Sequence, residues 1–321
     1  MLNLLYSMDE INYVVRADFA IAFNPPLKST MQVAHIAATE TDLYLLDAVN
    51  GNVIRGYLNN GTYKLDNEFI CGPGSYNDGL QVDNLVDIVV LPRSTSSTVT
   101  LMGIDSAGTI LYCTPGSTPY AKALPTPDIG WKKITAISYD SLNLYVLDAE
   151  GRAVWVYWGG EKIEFTEQPF FFFEEQVPVM LETAVDMAIT HDDLYLLHSD
   201  GHMAVCIFSR ISSSPTRCND PALYADVRPG YVSGIVLGDG KFTQMTFTGP
   251  NDPSLALLQP ESQSVFRFSP GALELQNQIR IAPGSVDKLP KDNPISAMTF
   301  SPNRVLFVYV NGEVYFSSNI Q

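Results

Sequence analysis

Four polar side chains occupy one recurring position in short apolar segments, and their types are those that hold ions or small ligands. The segments are rich in Ile, Val, Met and Ala, and the polar residues are His35, Asp87, Asp186 and Gln244. Two carboxylates and an imidazole supply the oxygen and nitrogen atoms that a divalent cation can use as ligands. The sequence therefore marks these four residues as a candidate binding site.

Two interpretations of this position stay open on the sequence alone. In the first, Asp87 and Asp186 hold Ca²⁺ or another divalent cation, and no other cofactor is indicated. In the second, the two carboxylates accept backbone N–H groups of neighbouring units around a water-filled channel, because a buried polar group is costly unless it is paired or hydrated.

The segments belong to an internal repeat. Each is followed by a β-hairpin pattern, in which an apolar strand, a polar turn with Asp, Asn or Gly and a second alternating strand succeed one another. Clear hairpins begin at Leu43, Leu144 and Leu194, and degenerate ones begin at Leu101, Leu255 and Val305. Alignment of the preceding strands brings six residues to the same height, namely His35, Asp87, Ala136, Asp186, Gln244 and Ala297.

Six units in 321 residues average roughly 53 residues, close to the 40 to 50 of propeller blades. We therefore predict an all-β, six-bladed β-propeller with four antiparallel strands per blade, forming one domain over residues 1–321. The blades are expected at about 33–75, 85–125, 131–176, 183–230, 242–285 and 294–321. A strand within residues 11–24 is expected to join the last blade and close the ring, which removes two exposed sheet edges.

The runs LYLLDAVNG from Leu43, LYVLDAEG from Leu144 and AVDMAITHDDLYLLHSDG from Ala184 resemble the repeats of NHL-type and TolB-like six-bladed propellers. The resemblance covers most of the chain and implies a propeller scaffold. Such scaffolds carry binding modules, lactonases and lyases alike, so the resemblance alone implies no single activity.

Composition narrows the range of partners. With 35 acidic and 19 basic residues the net charge is −16, which is unsuited to nucleic acid because that partner requires clustered Lys and Arg. No apolar stretch approaches the roughly 20 residues that span a bilayer, so direct membrane insertion by this domain is not expected. We expect a monomer that binds a protein or small-molecule ligand of unknown identity.

Two cysteines bracket a loop rich in Ser and Pro. Cys206 ends a predicted strand and Cys218 lies in the loop, so we predict a disulfide between them, which favours an oxidising, extracytoplasmic location. Cys71 and Cys113 are interpreted as ordinary buried strand residues. The chain begins almost inside its first strand, which is typical of a domain cut from a longer protein.

The same region carries a cluster of positive charge. Arg210, Arg217 and Arg228 lie in or beside the long loop Ile211–Tyr231, and long loops on rigid scaffolds commonly carry recognition. These arginines are predicted either to meet an acidic partner or to pair with Asp220 and Asp226.

His198 and His202 frame the turn of one hairpin. Two histidines four residues apart converge on a metal when they share a helix face, but across a β-turn they need not converge. We therefore expect a solvated turn here.

The sequence thus predicts a non-catalytic propeller that binds a ligand or a protein. We interpret it as the sensor or recognition domain of a larger protein, and one form of this hypothesis anchors that larger protein in a membrane. The alternative is a metal-dependent hydrolase or lactonase with its site at the channel mouth, formed by the same four ring residues.

Overall fold

A computed structural model describes residues 13–24, 27, 31–92, 99–160, 163–173, 176–208, 216–238, 240–249, 253–281, 294–318 and 320. Within these ranges the strands, in chain order, are β1 (Val14–Ala17), β2 (Ala20–Ile21), β3 (Val33–Ala38), β4 (Asp42–Asp47), β5 (Val53–Asn59), β6 (Thr62–Asp66), β7 (Gly74–Ser75), β8 (Gln81–Val82), β9 (Leu85–Val90), β10 (Leu101–Asp105), β11 (Thr109–Cys113), β12 (Tyr120–Ala123), β13 (Ile134–Asp140), β14 (Asn143–Asp148), β15 (Ala153–Trp158), β16 (Phe170–Phe171), β17 (Ala184–Thr190), β18 (Asp193–His198), β19 (Met203–Phe208), β20 (Thr216–Ala222), β21 (Gln244–Phe247), β22 (Leu255–Gln259), β23 (Ser264–Phe268), β24 (Leu275–Ile281), β25 (Ala297–Phe300), β26 (Leu306–Val310) and β27 (Glu313–Ser317). Short 3-10 turns lie at Asn77–Gly79 and Leu181–Thr183.

The strands form six antiparallel blades around a central axis. Blade 1 is β3–β6, blade 2 is β9–β12, blade 3 is β13–β16, blade 4 is β17–β20, blade 5 is β21–β24, and blade 6 is β25–β27 with β2. The innermost strands β3, β9, β13, β17, β21 and β25 each contact the next around a closed ring. The predicted six-bladed, four-stranded propeller is confirmed.

The N-terminal segment closes the ring by pairing with two blades, although the sequence predicted pairing with one. β2 pairs antiparallel with β27 and supplies the outer strand of blade 6, with Ala20 opposite Phe316. β1, just before it, adds to the outer edge of blade 5 as a parallel strand, with Val14 opposite Gln278. A single segment therefore ties the outer edges of two adjacent blades, whereas the sequence predicted only the pairing with the last blade.

The core consists of layers between neighbouring blades. One cluster joins blades 3 and 4, and comparable clusters fill the other five gaps around the ring. Side chains on both faces of a middle strand are therefore buried, as Tyr44 and Leu45 of β4 illustrate. This explains why the repeat reads as a continuous apolar run rather than as a strict alternation.

All four cysteines are paired. A disulfide joins Cys206 to Cys218, which face each other in register on β19 and β20. Cys218 thus belongs to a strand and not to a loop, because β20 occupies part of the segment Ile211–Tyr231 that the sequence predicted to be irregular. A second disulfide joins Cys71, which follows blade 1, to Cys113 of blade 2. Interpreting Cys71 and Cys113 as ordinary buried thiols was wrong.

Among the described helical segments, none is long and apolar enough to cross a membrane.

Candidate functional site

The six aligned positions lie at one level of the propeller. Each ring residue pairs with an equivalent residue near the end of the second strand of its blade, in the pairs His35–Leu46, Asp87–Ile104, Ala136–Leu147, Asp186–Leu197, Gln244–Leu258 and Ala297–Tyr309. In blades 1 to 4 a register shift directly precedes the ring residue. An irregularity of this kind re-aims the following side chain, so the repeat itself orients these positions.

Asp87 joins blade 2 to blade 3. Its Oδ2 accepts the backbone N–H of Ile137 on β13 at 2.7 Å, and its Oδ1 accepts the N–H of Ile88 at 2.7 Å. The side chain is almost fully buried. Burial raises the pKa of Asp87, while the nearby His35 and the two N–H donors oppose that rise.

Asp186 repeats this arrangement between blades 4 and 5. Its Oδ2 accepts the N–H of Met245 on β21 at 2.8 Å, and its Oδ1 accepts the N–H of Met187 at 2.8 Å. Burial raises the pKa of Asp186 to about 6, with a smaller upward contribution from Asp87 and a downward one from His35.

Gln244 of blade 5 makes the corresponding hydrogen bonds to blades 6 and 1. Its Oε1 accepts the N–H of Met298 on blade 6 at 3.0 Å, and its Nε2 donates to the carbonyl oxygen of Ala34 on blade 1 at 2.5 Å. An amide is suited to this position because it has both a donor and an acceptor. Gln244 therefore connects blades 5, 6 and 1.

His35 is a partly exposed member of the ring. Its side chain is 26% exposed, and its Nδ1 lies 3.4 Å from Oδ1 of Asp87. His35 opposes the rise in pKa of both ring carboxylates, and register brings His35, Asp87 and Asp186 to one level of the channel.

The ring lies at one end of a central cavity of about 450 Å³. The wall runs along all six inner strands, from the ring to the hairpin turns that follow those strands. At the turns the wall includes Asp140 of blade 3, and Thr190 and His191 of blade 4. This size falls within the range of small-molecule sites.

The donor set of the ring is a poor fit for the Ca²⁺ ion considered from the sequence. Ca²⁺ takes six to eight oxygen ligands, whereas the four oxygens of Asp87 and Asp186 each already accept a backbone N–H. Both amide atoms of Gln244 are likewise engaged.

The predicted partner loop presents less positive charge than its sequence implies. Arg228 is buried, pairs with Asp226 through NH2 and Oδ2 at 2.6 Å, and stacks on Tyr231. Of the two roles predicted for Arg228, the structure shows the ion pair with Asp226. Arg217 is exposed on β20, and Arg210 lies outside the described residues.

Sequence reasoning missed a second cluster. His198 and His202 are buried and their rings stack at 4.0 Å, so the solvated turn expected there is wrong. Asp220 on β20 lies beside them, with its Oδ1 3.1 Å from His202 Nε2. A signal was present in the sequence, since the aligned repeats have Asp47, Asp105 and Asp148 where blade 4 has His198.

No protein-family description and no curated protein matches this chain. Among solved structures, selenomethionine-substituted virginiamycin B lyase from Staphylococcus aureus is similar over 94% of this chain and 98% of that chain, at 10% identity and a TM-score of 0.53. YCF48 bound to D1 peptide is similar over 95% of this chain and 98% of that chain, at 13% identity and a TM-score of 0.51.

The chain also aligns over 92% of its length with PorZ, an essential surface component of the type-IX secretion system of Porphyromonas gingivalis, at 9% identity and a TM-score of 0.45; it spans only 37% of that protein. Identities this low establish a shared fold and no shared activity. The chain is therefore a six-bladed β-propeller, and the two similar structures with TM-scores above 0.5 are a lyase and a peptide-bound protein.

Proposed function

We propose that this propeller is a non-catalytic binding module that takes an amine or guanidinium group in its central cavity. One observation carries the proposal. The cavity wall includes the carboxylates of Asp87, Asp140 and Asp186, and no lysine or arginine stands among the described residues that line it. A cavity with one sign of charge concentrates ligands of the opposite sign, and the net charge of −16 acts in the same direction.

The wall divides into a structural part and a recognition part. Asp87, Asp186 and Gln244 are engaged in bonds between blades, and they set the rigid end of the cavity. We assign recognition to the opposite end, where the Asp140 carboxylate accepts a hydrogen bond from the neighbouring Ser141 hydroxyl at 3.0 Å. Asp140 is only partly buried, so its carboxylate can meet a cation at a modest desolvation cost.

The proposed setting is extracytoplasmic, as the sensor or recognition domain of a larger protein of the NHL-repeat or TolB-like type. Pairing of all four cysteines supports it, because disulfides persist in oxidising compartments. A free organic cation and the Lys or Arg side chain of a peptide share the same recognising chemistry. The structural neighbour YCF48 was solved bound to a peptide.

The competing proposal is a metal-dependent hydrolase or lactonase that uses the same ring. It requires an ion on Asp87 and Asp186, whose oxygens already accept backbone N–H groups. The two proposals differ in what should stabilise the protein, since the hydrolase needs Ca²⁺ or another divalent ion and the binding module needs an organic cation.

The test is thermal unfolding of the full chain with spermidine, choline or L-arginine amide, with succinate as the anionic control, and with EDTA or added Ca²⁺. A ligand at 100 times its dissociation constant stabilises by about 2.7 kcal/mol, which shifts the melting temperature by several degrees. We expect a rise with at least one cation, none with succinate, and loss of the rise in Asp140→Asn but not in Asp128→Asn, an exposed aspartate outside the cavity. A rise only with Ca²⁺ that EDTA reverses and Asp186→Asn abolishes would favour the hydrolase instead.

A further inference from the structure

The last residue of the second strand is an aspartate in blades 1 to 3, and its carboxylate accepts backbone N–H groups of the loop that leads into the blade. In blade 3, Asp148 accepts the backbone N–H groups of Lys132 and Lys133, and so secures the loop that leads into β13. In blade 2, Asp105 accepts the N–H of Asp83 in the corresponding loop at 3.1 Å. Blade 4 departs from this pattern, because His198 stands at the equivalent position.

The surroundings of His198 fix its protonated nitrogen. The Thr183 hydroxyl donates its only proton to the carbonyl oxygen of Met180 at 2.8 Å, and it also lies 2.9 Å from His198 Nδ1. The hydroxyl must accept in the second contact, so Nδ1 carries the proton and Nε2 holds a lone pair. That Nε2 is fully buried and has no hydrogen-bond partner among the described residues, which is costly unless a ligand completes it.

His202 and Asp220 stand next to this lone pair. Nε2 of His202 lies 3.1 Å from Oδ1 of Asp220, and the other oxygen of Asp220 accepts the N–H of Val179 at 2.9 Å. On its far side, Nδ1 of His202 lies 2.6 Å from Oδ1 of the exposed Asp200. A carboxylate behind a histidine in this way is the usual outer support of a metal-ligating imidazole.

We propose that His198, His202 and Asp220 bind one divalent transition-metal ion of the Zn²⁺ class. One ligand atom from each residue lies within 4.8 Å of the others. Two imidazoles and one carboxylate are ligands that Zn²⁺ prefers, and three protein ligands leave its fourth tetrahedral position to water or another ligand. The site belongs to the end of blade 4 away from the cavity turns, so it is separate from the proposed ligand cavity.

Metal binding requires a rearrangement of the three side chains. Zn²⁺ binds nitrogen at about 2.0 to 2.1 Å, so the three atoms must draw closer together. The two rings stack with 7° between their planes, and parallel rings cannot both direct in-plane lone pairs at one ion. The His202 ring must therefore turn about its Cβ–Cγ bond, and the ion replaces the proton between His202 Nε2 and Asp220.

The test is calorimetric titration of the metal-stripped full chain with Zn²⁺, and separately the visible absorption of bound Co²⁺, which reports tetrahedral coordination. We expect one ion per chain. His198→Gln and Asp220→Asn should each weaken Zn²⁺ binding tenfold or more and abolish the tetrahedral Co²⁺ spectrum. His198→Gln is expected to fold because Gln259 occupies the equivalent place in blade 5, and Asp220→Asn keeps an acceptor for the Val179 N–H.

Asp128→Asn is the matched control for Asp220→Asn, because it changes an exposed aspartate outside both the cavity and this cluster and should leave Zn²⁺ binding unchanged. Circular dichroism of the ion-free variants establishes that they are folded. The proposal is overturned if the wild type takes up no stoichiometric Zn²⁺, if Zn²⁺ binding survives both ligand substitutions, or if Asp128→Asn weakens Zn²⁺ binding as much as Asp220→Asn does.

Discussion

Asp186 of blade 4 accepts the backbone N–H of Met245 on blade 5 at 2.8 Å. Asp87 of blade 2 accepts the N–H of Ile137 on blade 3 at 2.7 Å in the same manner. One ring position of the repeat thus connects two pairs of blades through a buried carboxylate and a backbone donor. The residues that first looked like cation ligands hold the propeller together.

Removal of either carboxylate should destabilise the ring. Asp87→Ala and Asp186→Ala each leave two buried N–H groups without their acceptor, and an unsatisfied buried donor costs about 1 to 3 kcal/mol. We expect a loss of at least that size in the free energy of unfolding, measured with urea. Asp128→Ala, at an exposed position, should change it by less than about 0.5 kcal/mol. Equal effects in all three variants would contradict the role of the ring.

The stability contributed by Asp186 should fall as the pH rises. Its pKa in the folded chain is about 6, above the ordinary value of 3.8, so between these values the folded state retains a proton that the unfolded state releases. Stability then decreases from about pH 4 to above pH 6, by on the order of 3 kcal/mol for this group. Comparison of wild type with Asp186→Asn at pH 4.5 and pH 7.5 isolates the effect. The free energy of unfolding of the wild type, relative to that of Asp186→Asn, should be larger at pH 4.5 than at pH 7.5. The same difference at both pH values would refute the raised pKa of Asp186.

His198 should show the opposite pH dependence. Burial lowers its pKa, with a further reduction from His202, so protonation below the unfolded value of about 6.5 favours unfolding. Wild type should therefore lose stability relative to His198→Gln as the pH falls from 7.5 to 5.5, measured by urea unfolding without metal. A gain over that range would show that the imidazole is stabilised in its charged form.

The two disulfides should differ in their effect on stability. Cys71–Cys113 spans a sequence separation of 42, and Cys206–Cys218 one of 12. On the loop-entropy estimate the first contributes about 4 kcal/mol and the second about 3 kcal/mol. Unfolding of Cys71→Ser/Cys113→Ser and Cys206→Ser/Cys218→Ser measures both. A larger loss from the shorter loop would mean that local strand pairing, and not chain constraint, dominates.

The N-terminal segment should be essential to closure. Phe23, which follows β2, is 2% exposed, and a Cβ on Gly56 would fall 2.4 Å from its ring, so blade 1 leaves space for this side chain. Phe23→Ala should cost about 3 to 5 kcal/mol. Phe170→Ala is the control, because Phe170 is 52% exposed and should change stability little. Similar losses in both would show that Phe23 is not a closure contact.

The fold could be predicted from the sequence because the six repeats can be aligned with one another. Once the hairpins at Leu43, Leu144 and Leu194 are superimposed, strand register follows, and register brings His35 and Asp186 to one level. The contribution of an N-terminal strand to the last blade could also be predicted, because the final repeat lacks an outer strand and the N-terminal segment contains a strand without a hairpin partner.

Contacts between distant parts of the chain could not be predicted from the aligned repeats. Nothing local connects Cys71 with Cys113, because their proximity depends on how blade 1 packs on blade 2. Asp220 reaches His202 only because β20 returns along β19. The commitment of Arg228 to Asp226 is likewise a property of the folded loop, and its sequence allowed either outcome.

The most direct test of the proposed function is calorimetric titration of the full chain at pH 7.5 with spermidine, choline and L-arginine amide. We predict saturable binding of one molecule of at least one of these cations, weakened tenfold or more in Asp140→Asn and unchanged in Asp128→Asn. Absence of saturable binding with all three, or equal binding by wild type and Asp140→Asn, would contradict the assignment of the central cavity as a cation-binding site.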